Sequence, residues 1–83
     1  MPKITIYSTS ICMYCQTAKQ FFEENNIEYQ EIDVSQDKSA AKEMIEKSDQ
    51  MGVPVIVIGE GETEKVVIGF DKEKISQILG IKE

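Results

Sequence analysis

The chain contains no histidine and no arginine. Without an imidazole, no side chain is present to activate a nucleophile in the usual way or to complete a His-containing zinc site. Its nine cationic residues are all lysines, scattered rather than clustered, and fifteen acidic residues leave a net charge of −6. Binding to nucleic acid needs a basic patch, so this balance argues against that class and for a well-solvated surface. No apolar run approaches the roughly 20 residues that span a bilayer. The start, Met1-Pro2-Lys3-Ile4-Thr5-Ile6-Tyr7, runs straight into β-branched sequence and lacks the apolar core and cleavage site of a signal peptide. A cytoplasmic location is therefore expected, with no membrane partner. Cysteine is equally scarce: Cys12 and Cys15 are the only two.

What remains is 83 residues, 41% hydrophobic and 29% charged, with six aromatics. One small domain, residues 1–83, is expected, burying roughly 60–65% of its unfolded surface. Ile4, Ile6 and Tyr7 predict a first strand, bounded by Ser8-Thr9-Ser10, whose hydroxyls suit a helix N-cap. From Met13 to Asn25, Ala18, Phe21 and Phe22 recur at helical spacing, and Asn25-Asn26 provides a stop. Ile27 to Val34 alternates imperfectly and reads as an edge or half-buried strand. Ser35 or Asp37 can cap a second helix reaching Ser48, with Ala41, Met44 and Ile45 as its apolar stripe. After the loop from Asp49 to Pro54, Val55-Ile56-Val57-Ile58 reads as a buried central strand. The glycine-containing turn from Gly59 to Glu64 returns the chain antiparallel through Lys65-Val66-Val67-Ile68. Asp71 can cap a last helix lined by Ile75, Ile78 and Leu79 and ended by Gly80.

The order β-α-β-α-β-β-α predicts an α/β fold: a four-stranded mixed sheet with helices on both faces. Strand, helix, strand in the first half demands a parallel pair with a right-handed crossover. The cysteines fall where the first strand ends and a helix begins. A helix start presents unpaired N–H groups and a partial positive charge, which stabilise a thiolate, the nucleophilic form of cysteine. In the cytoplasm such a pair is more often redox-active or metal-binding than a staple, and a disulfide across so short a loop constrains the unfolded chain little. C-x-x-C beside a βαβ pattern reads as a thioredoxin-like redox motif. The structural alternative is an incidental buried pair. The metal alternative needs two chains, because one chain supplies two thiolates and zinc takes four ligands.

The chain resembles the glutaredoxins, and more narrowly the small bacterial and archaeal glutaredoxin-like proteins near the NrdH-redoxins. The resemblance spans essentially the whole chain. It rests on Ile6-Tyr7-Ser8 ahead of Cys12-Met13-Tyr14-Cys15, on Gly52-Val53-Pro54 opening the third strand, and on Gly69-Phe70-Asp71 after the fourth. It implies a thioredoxin fold with sheet order 2-1-3-4, the third and fourth strands antiparallel to the first two, and a cis Val53–Pro54 peptide beside the cysteines. It further implies a dithiol thiol–disulfide oxidoreductase, an electron carrier acting as a monomer on disulfide-containing proteins or glutathione mixed disulfides. Cys12 is then the nucleophile and Cys15 the resolving thiol. No bound cofactor is implied; glutathione or thioredoxin reductase is the reductant. Some glutaredoxins hold an iron–sulfur cluster between two chains, the alternative use of the same cysteines.

Tyr14, Val53, Pro54, Gly69, Phe70 and Asp71 are the residues the resemblance places at substrate or glutathione. Three also have a plainer reading: Pro54 as an ordinary loop proline, Phe70 as core, Asp71 as a helix cap. Three positions depart from the glutathione-using pattern. Met13 stands where proline is usual, Thr9 where a lysine often binds a glutathione carboxylate, and Phe70 where cysteine is familiar. Gly69-Phe70 is similar to NrdH-redoxins, which thioredoxin reductase reduces, although Asp71 replaces the basic residue that often follows there. With no His or Arg available, activation of Cys12 is expected from backbone N–H groups and the helix dipole, within the roughly 3.5–7.5 pKa range of such thiols.

Overall fold

The computed structural model describes residues 3–50, 52–61 and 64–80. Met1, Pro2, Met51 in the expected loop from Asp49 to Pro54, Glu62 and Thr63 in the expected turn from Gly59 to Glu64, and Ile81, Lys82 and Glu83 lie outside the described residues. Seven elements follow one another: β1 (Ile4–Ser8), α1 (Met13–Glu24), β2 (Gln30–Asp33), α2 (Lys38–Ser48), β3 (Val55–Ile58), β4 (Lys65–Ile68) and α3 (Lys72–Leu79). The sheet order is β2-β1-β3-β4. β1 pairs parallel with β2, placing Ile6 opposite Glu31, and antiparallel with β3, placing Tyr7 opposite Val55. β4 is antiparallel to β3. Two successive reversals return β4 to the direction of β1, so only β3 opposes the first two strands. The expectation that both later strands do so is corrected here.

Period-two alternation assigns each strand residue to one of two cores. Ile4, Ile6, Ile56, Ile58 and Val67 face Ala18, Phe21 and Phe22 of α1 and Ile75 of α3. Tyr7, Val55 and Val57 face Ala40 and Met44 of α2. β3 is buried along its whole length, as its unbroken β-branched run predicts. Among the described residues no helix is long and apolar enough to cross a membrane.

Two element boundaries differ from the sequence expectation. β2 begins at Gln30 rather than Ile27 because the backbone before it closes α1. The Ile27 N–H donates to the Phe22 carbonyl at 2.8 Å and the Asn26 N–H to the Glu23 carbonyl at 3.1 Å, with Asn26 left-handed at φ 56°. This is a Schellman ending, and its apolar clasp is Ile27 against Phe22 in the same core. In α2 the buried stripe is Ala40, Met44 and Ser48, while Ile45 is exposed. Asp37, not Ser35, caps that helix, its carboxylate accepting from the Ala40 N–H at 3.0 Å.

Two polar clamps hold α2 to the sheet. The buried Tyr7 hydroxyl donates to Glu43 Oε1 at 3.1 Å. Lys47 Nζ donates to both Glu64 oxygens at 2.8 and 3.0 Å. Burial, then the Glu43 hydrogen bond and the negative charges of Glu43 and Glu64, push the Tyr7 pKa from 10.0 up to about 12. The folded state therefore keeps this proton where the unfolded chain loses it. The resulting stability is present below pH 10 and is lost as pH rises through 12. At pH 11 the loss is about 1.4 kcal/mol relative to neutral pH. Urea unfolding at pH 8 and pH 11 checks this: Tyr7→Phe should lose less stability between the two pH values than the parent, by about that amount. An equal loss in both proteins would show that Tyr7 does not carry the alkaline limb.

Candidate active site

The crossover from β1 into α1 builds the site. The Cys12 N–H donates to the Thr9 carbonyl at 3.3 Å, closing a turn directly after β1. Because α1 begins at Met13, the N-cap position falls on Cys12 itself. The hydroxyls of Ser8, Thr9 and Ser10 do not cap the helix. Instead the Cys12 sulfur accepts from the Cys15 N–H at 3.1 Å, the place a serine oxygen would take. The first turn of α1 holds no acidic residue to oppose negative charge on that sulfur. The Cys12 sulfur thus sits against a backbone donor at the positive end of a 12-residue helix.

Cys12 and Cys15 are joined as a disulfide, with their Cα atoms 5.2 Å apart. Exposure separates the two thiols: Cys12 is partly accessible, whereas Cys15 is 1% exposed beneath it. Of the pair, only Cys12 has appreciable exposure to solvent.

A groove of about 490 Å³ is lined by Tyr14, Val53, Pro54, Gly69, Phe70 and Asp71, with Ile68 and Lys72. All six binding residues anticipated from sequence therefore line one surface. The Val53–Pro54 peptide is cis. The Gly69 N–H donates to the Pro54 carbonyl at 2.9 Å, tying the loop after β4 to the loop before β3. Gly69 has φ 76°, a left-handed backbone that side chains resist, so glycine is required by conformation although a Cβ would meet nothing there. Among the described residues, neither the N–H nor the carbonyl of Val53 has a hydrogen-bond partner.

Phe70 sits between groove and core. It lines the groove and packs edge-on against Phe21, ring centroids 5.7 Å apart. Asp71 likewise does two things: it lines the groove, and its Oδ1 accepts from the Lys74 N–H at 3.1 Å to cap α3. Thr9 lies outside this groove, in a cavity of about 290 Å³ with Ser10, Gln16, Lys19, Glu31 and Asp33. There Lys19 pairs with Glu31 at 2.7 Å, and the buried Ser8 hydroxyl donates to the same carboxylate at 2.8 Å. These two hydrogen bonds hold the Glu31 carboxyl below its ordinary range.

Sequence reasoning missed Ile11, Ile68 and Lys72. Ile11 is the most exposed large apolar side chain among the described residues, at 89%, and stands next to Cys12. Ile68 is 54% exposed at the end of β4, where the alternation that buries Val67 turns it outward. Lys72 follows Asp71 directly, and its ammonium lies 5.8 Å from the Phe21 ring centroid. Among the described residues no group of three or more His, Cys, Asp or Glu side chains is placed to hold a metal ion.

Comparison with known proteins bears on the same residues. The glutaredoxin family model matches residues 4–62, which include the cysteine pair and the cis proline. An uncharacterised glutaredoxin-like 8.6 kDa protein from the rubredoxin operon of Clostridium pasteurianum is 36% identical over 76 residues, 92% of this chain and 96% of that one. The crystal structure of a point variant of a thioredoxin-like protein superposes with a TM-score of 0.83 at 36% identity, covering 99% of this chain and 100% of its own. The glutaredoxin-like NrdH-redoxin of Escherichia coli shares the fold, with a TM-score of 0.76 at 24% identity over 92% of this chain and 93% of that one. The fold is thioredoxin-like, and the family is one of thiol–disulfide redox proteins. By sequence over most of its length and by the C-x-x-C pair at the start of α1, the chain belongs to the glutaredoxin family.

Proposed function

We propose that the protein is a dithiol thiol–disulfide oxidoreductase and electron carrier, with Cys12 as nucleophile and Cys15 as resolving thiol. The observation that carries this is the asymmetry of the pair: a partly exposed Cys12 at a helix start, two residues before the groove residue Tyr14, and a buried Cys15 5.2 Å away between Cα atoms.

In the reduced protein the Cys12 thiolate attacks one sulfur of a substrate disulfide. The substrate S–S bond breaks, a mixed disulfide forms, and the first substrate thiolate leaves and takes up a proton. Cys15 then loses its proton and attacks the Cys12 sulfur. The mixed disulfide breaks, the second substrate thiolate leaves, and the protein holds the Cys12–Cys15 bond. Two electrons pass from the protein dithiol to the substrate. The Cys15 N–H stabilises the Cys12 sulfur as the attacking thiolate of the first step; in the second step that sulfur is the one attacked and the substrate thiolate is the leaving group.

The N–H and carbonyl of Val53, without a hydrogen-bond partner among the described residues, would offer an extended substrate segment two main-chain hydrogen bonds. Pro54 donates no hydrogen bond and leaves that approach clear. Tyr14 and Phe70 supply the apolar walls. Reduction back to the dithiol is by glutathione or by thioredoxin reductase. The departures at Thr9, Met13 and Phe70 favour the second.

Oxidised protein mixed with NADPH and either thioredoxin reductase, or glutathione with its reductase, should consume NADPH with at least one system when a disulfide acceptor is present. Consumption with neither would overturn the electron-carrier reading.

A further inference from the structure

We propose that Lys19 sustains the reactivity of Cys12 from outside the groove, by cancelling the charge of the carboxylates behind the cysteine turn. The inference deepens the oxidoreductase reading and rests on Cys12 as its nucleophile. From Thr9 through Ala18 no residue is charged, so Lys19 is the first charge after the cysteine pair. Cys12, Gln16 and Lys19 fall at i, i+4 and i+7, on one stripe of α1. Lys19 therefore stands about 10 Å along the helix axis from Cys12, and helical side chains lean back toward the N-terminus. One cavity joins the two positions: Gln16 and Lys19 line it together with Thr9 and Ser10 of the turn. Two of these residues hold Cys12 by its main chain. The Cys12 N–H donates to the Thr9 carbonyl, and the Gln16 N–H donates to the Cys12 carbonyl at 3.4 Å.

The β2 side of this cavity is acidic. Glu31 and Asp33 line it, and Lys19 is the only ammonium among the described residues that does so. The Glu31 carboxylate meets a need of the fold, since the buried Ser8 hydroxyl donates to it. Hydrogen bonds from Ser35 hold the Asp33 carboxyl below its ordinary range, and the bond to Glu31 holds the Lys19 ammonium above its own. All three groups are thus charged at neutral pH. Negative charge behind Cys12 opposes its thiolate, and an ammonium 2.7 Å from Glu31 cancels one carboxylate. The other groups acting on Lys19 are Glu23, one turn further along α1, and Tyr29. On the groove side stand Asp71 and Lys72, opposite in sign and adjacent in the chain. With side chains 26% and 38% exposed, the Lys19–Glu31 pair adds little stability of its own. Its charges matter more for the thiol than for the fold.

The test reads the Cys12 thiol directly, in a Cys15→Ser background where it is the only thiol. Alkylation by iodoacetamide is timed as a function of pH at low salt. Lys19→Met should raise the Cys12 pKa by about 0.5, slowing alkylation about threefold below that pKa. Glu31→Gln, whose amide oxygen still accepts from Ser8, should lower the Cys12 pKa by about as much. Lys19→Arg should keep the parental value, and Lys19→Met with Glu31→Gln should fall between the two single variants. Both displacements should shrink near about 0.5 M salt. A purely structural ion pair predicts something else: both single variants loosen the same contact and move the thiol the same way. A Cys12 pKa unchanged in both variants, or displaced in one direction by both, would overturn the proposal. Reaction of the reduced parent with hydroxyethyl disulfide is timed separately. Failure there would sink the oxidoreductase reading, whereas the alkylation series alone decides the charge coupling.

Discussion

Cys12→Ser is expected to abolish disulfide reduction, lowering the rate by a factor on the order of 10³ or more, as loss of a nucleophile does. A serine hydroxyl at the same N-cap keeps the hydrogen bond from the Cys15 N–H and so keeps α1. It does not ionise near neutral pH and cannot exchange with a disulfide. The other thiol offers no bypass, because Cys15 is 1% exposed. Cys15→Ser should behave differently. Cys12 remains accessible and still attacks, but no second thiol releases the product. The mixed disulfide should therefore accumulate and be seen as a mass increase equal to the bound half of the substrate, removable by a small thiol. The two variants together assign the roles. Full activity in Cys12→Ser, or a trapped mixed disulfide on Cys15 rather than Cys12, would reverse them.

The features legible in the sequence are those with a strong local signal. Val55 to Ile58 is an unbroken β-branched run, and it is the strand buried throughout. Ala18, Phe21 and Phe22 recur at helical spacing, and they are the buried face of α1. The cysteine pair stood out by spacing and by position. The groove residues did not. Val53 and Asp71 are far from Cys12 in the chain, and only the β1–β3–β4 pairing brings their loops to the same sheet end. That placement came from family resemblance, as did the cis peptide.

The misses have physical causes. Hydroxyl residues are preferred N-caps, which drew attention to Ser8, Thr9 and Ser10, yet the turn closed by the Thr9 carbonyl moves the cap to Cys12. Alternation put Ile27 in a strand, but its N–H is committed to ending α1. Alanine and serine give weak periodic signals, so the expected stripe of α2 is right at Met44 but takes Ala41 and Ile45 where Ala40 and Ser48 are buried. Ile11 and Ile68 escaped because hydropathy patterns find buried faces and are silent about apolar side chains left in solvent.

Phe22→Ala should produce the largest loss of stability of any single change considered, about 3–5 kcal/mol. Phe22 is 0% exposed. Its ring meets Phe21 edge-on at 5.7 Å and Tyr29 at 5.8 Å, and its carbonyl receives the Ile27 N–H that ends the helix. Truncation removes apolar burial and leaves a cavity under the helix that carries both cysteines. At about 0.05–0.15 kcal/mol per residue, a chain this short holds roughly 4–12 kcal/mol in all, so the loss takes a large fraction of it. The Cys12–Cys15 bond offsets little, since it closes a short loop. Urea unfolding of the oxidised protein at neutral pH measures the effect, with Phe22→Leu as a milder companion expected to retain most of the stability. If Phe22→Ala lost under about 1 kcal/mol, the collapse of neighbouring side chains into the vacated space would have to be nearly complete. The α1 core would then be far more plastic than its close-packed rings indicate. If instead the variant unfolds as expected while Phe22→Leu keeps the reactivity of Cys12, the docking of α1 on the sheet is what holds the thiol pair at the groove.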